Sequence, residues 1–268
     1  MIWTLKNLLS DRFFTVGLLT FTHSAPVLLH QLMTQCFKRF GLFERYLIQE
    51  KSKTPFDQNK KLYKSVVVDT IMNHLVKIPL AVYISFPLLQ RCLKIDRSAA
   101  FTMPPMKLLA YQVLISALLE DALFYWSHRA LHNPFLFKHI HSKHHKFHNL
   151  TAYPIASEYT HPIESIFGNI IPVLTGPLLL GMDLASTQIW LWIRMLKTSD
   201  AHCGYDLPFS PFGAFWPLNS ARRHDYHHEK GVGSFGSFFV FWDQLCGTDA
   251  AYLKAQEKKK KKEETKKY

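Results

Sequence analysis

Charge is scarce in this chain. Only 19% of its 268 residues are Asp, Glu, Lys or Arg, below the roughly 25% of an ordinary soluble domain. Cysteine is scarcer still: Cys36, Cys92, Cys203 and Cys246 stand far apart and form no CxxC pair. That excludes a disulfide scaffold and suits a reducing compartment, or burial of the thiols as small apolar groups. Glycine-rich repeats are missing, so collagen-like structure is excluded. There is no RNP pattern, zinc finger or basic helix with heptads, and so no recognisable nucleic-acid module. Apolar residues are plentiful, at 48% of the chain, with 21 Phe. Such a composition excludes disorder and is enough for one large domain or two small ones.

The net charge is +12, and its placement matters more than its size. Residues Lys254 to Tyr268 hold eight Lys and three Glu, so this tail carries +5 and the body +7. Such a tail reads as a solvated helix end, or as a segment with affinity for an anionic membrane surface. Its last four residues, Thr265-Lys266-Lys267-Tyr268, miss a dilysine ending by one position.

Long apolar runs come next. Residues 13–36 have no formal charge and exceed the ~20 residues that a bilayer requires. They lack the small-residue cleavage pattern of a signal peptide. A second run covers 66–92, firmly apolar over 78–90, and a third covers 107–127. Residues 163–196 hold two apolar stretches around Gly181-Met182-Asp183, the length of a re-entrant hairpin or two short spans. The loop 37–65 has eight Lys and Arg, whereas 93–106 has only Lys94 and Arg97. The positive-inside rule puts 37–65 in the cytoplasm and returns the chain there at His128. The competing interpretation is a soluble protein with buried helices.

Histidine is the unusual residue, with 15 copies, twelve of them between 128 and 228. They are ordered: His128 and His132 form HxxxH, His141, His144 and His145 form HxxHH, and His224, His227 and His228 form HxxHH again. On a helix this spacing puts the imidazoles of each cluster on one face, aimed at one point. Imidazole suits Zn, Cu, Fe and Ni. Eight aligned histidines are too many for one ion and suit two. The isolated His23, His30, His74, His139 and His148 read as surface or capping residues, with His161 and His202 intermediate.

Carboxylates are few around these clusters. Soluble di-iron bundles use two ExxH motifs with two further Glu, and Glu158 to His161 is the single ExxH here. An all-imidazole site is therefore expected. Asp121 lies seven residues before His128, two turns earlier on the same helix face. It could orient a ligand by accepting the outer ring N–H, as could Asp225; the alternative for Asp121 is an interfacial acid facing water.

The residues from about Phe43 to Asp249 resemble the fatty acid hydroxylase/sterol desaturase superfamily, and most closely its C-4 methylsterol oxidase branch. The resemblance lies in Glu44-Arg45-Tyr46-Leu47-Ile48-Gln49 and in Leu119-Glu120-Asp121 ahead of the first cluster. It continues through Lys138 to His145, Glu158 to Glu164, and Asp200-Ala201-His202-Cys203-Gly204-Tyr205-Asp206-Leu207-Pro208. Arg223 to His228, Phe241-Trp242-Asp243 and Gly247-Thr248-Asp249 complete it. Leu47 departs from the family, which has Lys there.

The resemblance implies a di-iron centre ligated by His128, His132, His141, His144, His145, His202, His224, His227 and His228, with His161 at a recurring His-Pro position. It implies an all-α integral membrane bundle with a cytosolic histidine-rich cap, multi-pass in the endoplasmic reticulum. It divides the chain into membrane spans and a basic loop (1–106), a catalytic domain (107–250) and a Lys-rich tail (251–268). The implied activity is a monooxygenase of sterol biosynthesis that oxidises a lipid C–H bond with O₂, at the C-4 methyl group of a sterol. Another lipid hydroxylase or desaturase, such as a sterol 25-hydroxylase-like enzyme or a fatty acid hydroxylase, is the alternative. A metal redox centre with O₂ is needed because no side-chain acid, base or nucleophile attacks an unactivated C–H bond. The chain has no Gly-rich dinucleotide fingerprint and no HPGG segment of a fused haem domain. The resemblance implies that electrons come from NAD(P)H through a separate reductase and a cytochrome b5. A different class, a non-catalytic membrane protein that binds or transports metal, would place polar residues inside facing spans; here the histidine clusters lie just outside them.

Overall fold

Apolar runs of twenty or more residues, with few charges to interrupt them, fold as long helices because only a helix satisfies every backbone group within one segment. The computed structural model describes residues 5–49, 59–146, 153–213 and 215–265; His148 and the chain end at 266–268 lie outside these. Helix α1 is Leu5–Phe40. Helix α2 runs over Lys60–Cys92 and contains a π-helical turn at Asn73–Lys77. Helix α3 is Met106–Leu131, followed by the short α4 at Pro134–His139 and 3₁₀ turns at His141–Lys146 and Pro154–Glu158. Helix α5 covers Pro162–Leu180 with a π-helical stretch at Ser165–Ile170. Next come α6 at Leu184–Ala201, α7 at Ala221–Lys230, α8 at Phe241–Leu245 and the tail helix α9 at Ala250–Thr265. Among the described residues there is no strand, and the fold is all-α as expected.

Among the described residues, four helices are long and apolar enough to cross a bilayer: Leu9–Phe40, Lys60–Cys92, Met106–Leu131 and Pro162–Leu180. The two apolar stretches within 163–196 therefore differ in kind. The first belongs to a helix of spanning length, which Gly181 ends in a left-handed cap at φ 56°. The second, α6, carries Arg194, Lys197 and Asp200 and buries all three. Helix α6 packs against α1, α3 and α5 and is the central post of the fold.

Close approach of α3 and α5 depends on one glycine. A Cβ on Gly176 would stand 2.6 Å from the Ser116 Cα, so only hydrogen allows these backbones to meet, as at other small-residue crossings in membranes. Leu19, Leu89, Met182, Trp190 and Phe238 fill the core beside this crossing. Trp190 donates its ring N–H to the Val173 carbonyl at 2.9 Å.

Candidate metal centre

Ring orientation starts from local structure. His128 lies in the last turn of α3 and His132 caps that helix, so their i, i+4 spacing sets both on one side. His141, His144 and His145 lie on a 3₁₀ turn. His224, His227 and His228 lie on α7, whose first turn is capped by the Ser220 side chain accepting from Arg223 N. His202 is the C-cap of α6.

These nine imidazoles converge as two groups. His128, His132, His141, His145 and His227 form one, and His144, His202, His224 and His228 the other; within each group the possible ligand atoms lie within 4.8 Å of one another. The two groups touch where His145 stacks on His228, with ring centroids 4.6 Å apart. Each HxxHH cluster is thus divided, where a single aim for each cluster was expected. His141 and His145 serve the first group and His144 the second; His224 and His228 serve the second and His227 the first.

The inner nitrogens face one another. Nε2–Nε2 distances are 3.1 Å for His141–His145, 3.2 Å for His145–His227, 3.0 Å for His202–His224 and 3.0 Å for His224–His228. The outer nitrogens fix the tautomer. His128 Nδ1 donates to the Phe235 carbonyl at 3.0 Å, His227 Nδ1 to Gly233 at 2.6 Å and His202 Nδ1 to Thr198 at 2.8 Å. A carbonyl only accepts, so each of these rings carries its hydrogen outside and turns a lone pair inward.

Protonation cannot relieve this crowding of lone pairs. Burial first, then the neighbouring His128, pushes the His132 pKa down to about 3. Burial holds His202 down at about 4 and pushes His144, His224, His227 and His228 well below the ordinary histidine value. The buried Nε2 of His132 has no partner at all. A cage of neutral, inward-facing imidazoles with an unsatisfied nitrogen fits first-row metal ions, which take imidazole as a neutral ligand.

The outer shell comes largely from one loop. Gly233 and Phe235 supply two of the carbonyls, and the Gly231 carbonyl lies against His132. Gly233 has φ 62°, and a Cβ there would stand 2.1 Å from the Thr248 carbonyl oxygen. Asp243 accepts from Phe235 N at 2.9 Å and Gly236 N at 2.8 Å. Asp121 accepts from Ser237 N and Phe239 N. Asp121 therefore does not take the ring N–H of His128, as its helix position suggested; it holds the loop whose carbonyl does. Asp225 also contacts no ligand nitrogen, and accepts from Gln49 Nε2 at 2.8 Å. This ties the Arg45–Gln49 segment, which pairs with Gly204–Asp206, to the last histidine cluster.

His161 stands outside both groups, and its Nδ1 accepts from Ile163 N to cap α5. The carboxylate nearest a ligand ring is instead Glu164, whose Oε1 lies 2.9 Å from His141 Nδ1 with both side chains buried. Glu120 pairs with Arg194 at 2.6 Å in full burial. The signal for Arg194 was available, as a charge inside an apolar stretch. The isolated histidines also divide: His139 is exposed and bonds its own helix, whereas His30 and His74 are buried.

Beside the metal groups lies a cavity of about 40 Å³ between Phe124 and Leu131 of α3 and Gly168 and Asn169 of α5. Ser157, Thr160 and Thr198 add polar atoms to its wall. Phe124, Phe137 and Phe235 pack on the rings of His128, His145 and His132 and keep the groups dry.

Known proteins are similar to this chain in sequence. The fatty acid hydroxylase family model matches residues 113–248. Very-long-chain aldehyde decarbonylase GL1-11 of Oryza sativa subsp. indica is 37% identical over 87% of this chain and 85% of its own length. Its relative GL1-8 is 38% identical over 87% and 84%. Methylsterol monooxygenase 2-1 of Arabidopsis thaliana is 34% identical over 87% of both chains. No solved structure matches.

Proposed function

The chain belongs to the fatty acid hydroxylase family, and from that premise we propose that it is a membrane di-iron monooxygenase oxidising a lipid C–H bond with O₂, at the C-4 methyl group of a sterol. The cage of nine inward-facing imidazoles carries the proposal. His128, His132, His141, His145 and His227 would hold one iron, and His144, His202, His224 and His228 the other. When bound, the irons supply the dioxygen redox chemistry that no side chain offers.

The chain's own residues do the rest. The carbonyls of Thr198, Gly233 and Phe235 hold three Nδ1 hydrogens outside, so the rings stay neutral and aimed. The three phenylalanines exclude water. The cavity is too small for a lipid, so α3 and α5 must part to admit one, and the apolar outer surfaces of both helices put that opening toward the bilayer. A sterol passing between them would keep its 3-hydroxyl near Ser157, Thr160, Asn169 or Thr198. C-4 is bonded to C-3, so the methyl group would then lie beside the histidines. A side-chain hydroxylase must insert the opposite, apolar end first.

The basic loop 37–65 supports histidines on the cytosolic side, and the family resemblance supports the endoplasmic reticulum as their membrane. A cysteine introduced into α9 should react with an impermeant reagent only when the cytosolic side is open; lumenal labelling overturns this orientation. Electrons would come from NAD(P)H through a reductase and a cytochrome b5-type donor.

A second substrate class has one observation in its favour: the relatives named as very-long-chain aldehyde decarbonylases share 37–38% identity, against 34% for methylsterol monooxygenase 2-1. The test supplies the iron-loaded full chain with reductant, O₂ and, separately, a 4,4-dimethylsterol, cholesterol or a very-long-chain aldehyde. Oxygenation at the C-4 methyl group is expected. Oxidation of the cholesterol side chain, or consumption of the aldehyde alone, moves the substrate to that class. Bound metal with no turnover of any of the three makes the protein a non-catalytic metal binder.

A further inference from the structure

Three side chains far apart in the sequence meet away from the nine-histidine cage. His23 comes from α1, His74 from the π-helical turn of α2, and Glu158 from the end of the 3₁₀ turn that precedes α5. Their possible ligand atoms lie within 4.8 Å of one another. His23 Nε2 is 3.2 Å from Glu158 Oε1, and the His23 and His74 ring centroids are 5.8 Å apart.

Two of the three are held from behind. Ser24 Oγ bonds His74 Nδ1 at 2.7 Å, which leaves Nε2 as the inward nitrogen. That Nε2 is buried and has no partner, and His74 as a whole is only 6% exposed. Asn73 donates its side-chain amide to the Glu158 carbonyl at 3.0 Å. The π-turn over Asn73–Lys77 inserts a residue into the helix and sets both Asn73 and His74 toward Glu158; such turns recur at functional positions. A plain His23–Glu158 ion pair leaves the buried His74 nitrogen unsatisfied, which carries the full desolvation penalty of that group. Ionisable groups in membrane helices are also expensive unless they serve one another.

We propose that His23, His74 and Glu158 form a further divalent-metal site of the zinc class, separate from the nine-histidine centre. Two imidazoles and one carboxylate are a zinc ligand set that leaves a fourth position to water. Ligands about 2.0–2.1 Å from a tetrahedral ion are about 3.3 Å apart, close to the 3.2 Å between His23 and Glu158. A bound ion gives the His74 nitrogen its partner. It also ties α1 and α2 to the segment 154–160, which borders the cage: Ser157 and Thr160 line the cavity and the Tyr159 carbonyl lies beside His144. The site is a clamp that fixes the first two membrane helices against the wall of the catalytic pocket.

The test counts metal per chain in purified full-length protein supplied with iron and zinc. Wild type should hold one equivalent more than His74→Gln or Glu158→Gln. The same difference should persist in a His145→Ala background, which removes a ligand of the nine-histidine centre, so failure of the di-iron proposal does not touch this one. Equal metal in wild type and both variants overturns the clamp. If those variants do not fold, Zn²⁺ added after chelation should raise the unfolding temperature of the His145→Ala chain more than that of the His145→Ala, Ser24→Ala chain, and equal rises overturn the site. Ser24→Ala, which only frees the His74 ring, should weaken Zn²⁺ binding at least tenfold; unchanged affinity counts against His74 as a ligand.

Discussion

Along Lys60–Cys92 many large apolar side chains point outward, although Phe86 and Leu89 are buried. Leu75 is 73% exposed and Ile84 66%, while Thr70 and His74 are among the buried residues. At the other end of the molecule, α7 and the loop after it bury His224, Asp225, His227, His228, Asp243 and Asp249. Both regions place polar groups inside, for different reasons. The spans have apolar surroundings, so an outward leucine costs nothing and packing relies on small residues such as Gly176 and Ser116. The histidine region meets water at its rim and keeps a polar interior only because each buried group has a hydrogen-bond partner or a ligand to hold.

That contrast can be broken at its strongest point. His145→Ala should lower the iron held by the nine-histidine centre and abolish activity while the protein still inserts in the membrane, as elemental analysis and a membrane extraction assay would read. His139→Ala, on an exposed ring near the cluster, should be silent. Equal effects at both positions would sink the ligand assignment. The next effect is on folding. Arg194→Met leaves Glu120 charged and buried without its partner, and should cost about 3–5 kcal/mol. The double variant with Glu120→Leu should recover most of that, measured by denaturation in detergent.

A smaller loss is expected at the loop. Gly233→Ala places a Cβ against the Thr248 carbonyl and displaces the acceptor of His227, so metal affinity should fall by about 10–100-fold. Acid should act more gradually. His202 and His132 have folded-state pKa values pushed down to about 4 and about 3, below the roughly 6.5 of an unfolded histidine. The unfolded chain thus binds more protons across that window. Stability of the metal-free protein is full above about pH 6.5 and falls as pH drops toward 4, by about 1.4 kcal/mol per pH unit for each such histidine. Unfolding midpoints from pH 8 to pH 5 would show it, and a flat profile would mean the rings are not held neutral. At the bottom of the scale, Leu75→Ala on the outward face of α2 should change stability by less than about 0.5 kcal/mol.

The sequence by itself determined the helical fold, the positions of the spanning helices and the eight histidines of the three clusters, to which only the family resemblance added His202. Hydropathy and i, i+4 spacing are local properties, and they survive in the structure as Met106–Leu131 and as the shared side of His224 and His228. Tertiary structure decided the rest. Periodicity put Asp121 on the face of His128 but could not say that Ser237 and Phe239 would reach the carboxylate first. It aligned each HxxHH cluster but could not divide the cluster between two groups, because the facing rings come from other helices. The carbonyls of Gly233 and Phe235, which set the ring tautomers, are backbone atoms that any residue type has. Only the closing of residues 231–249 over the cage, with Asp243 holding that loop, brings them to the imidazoles.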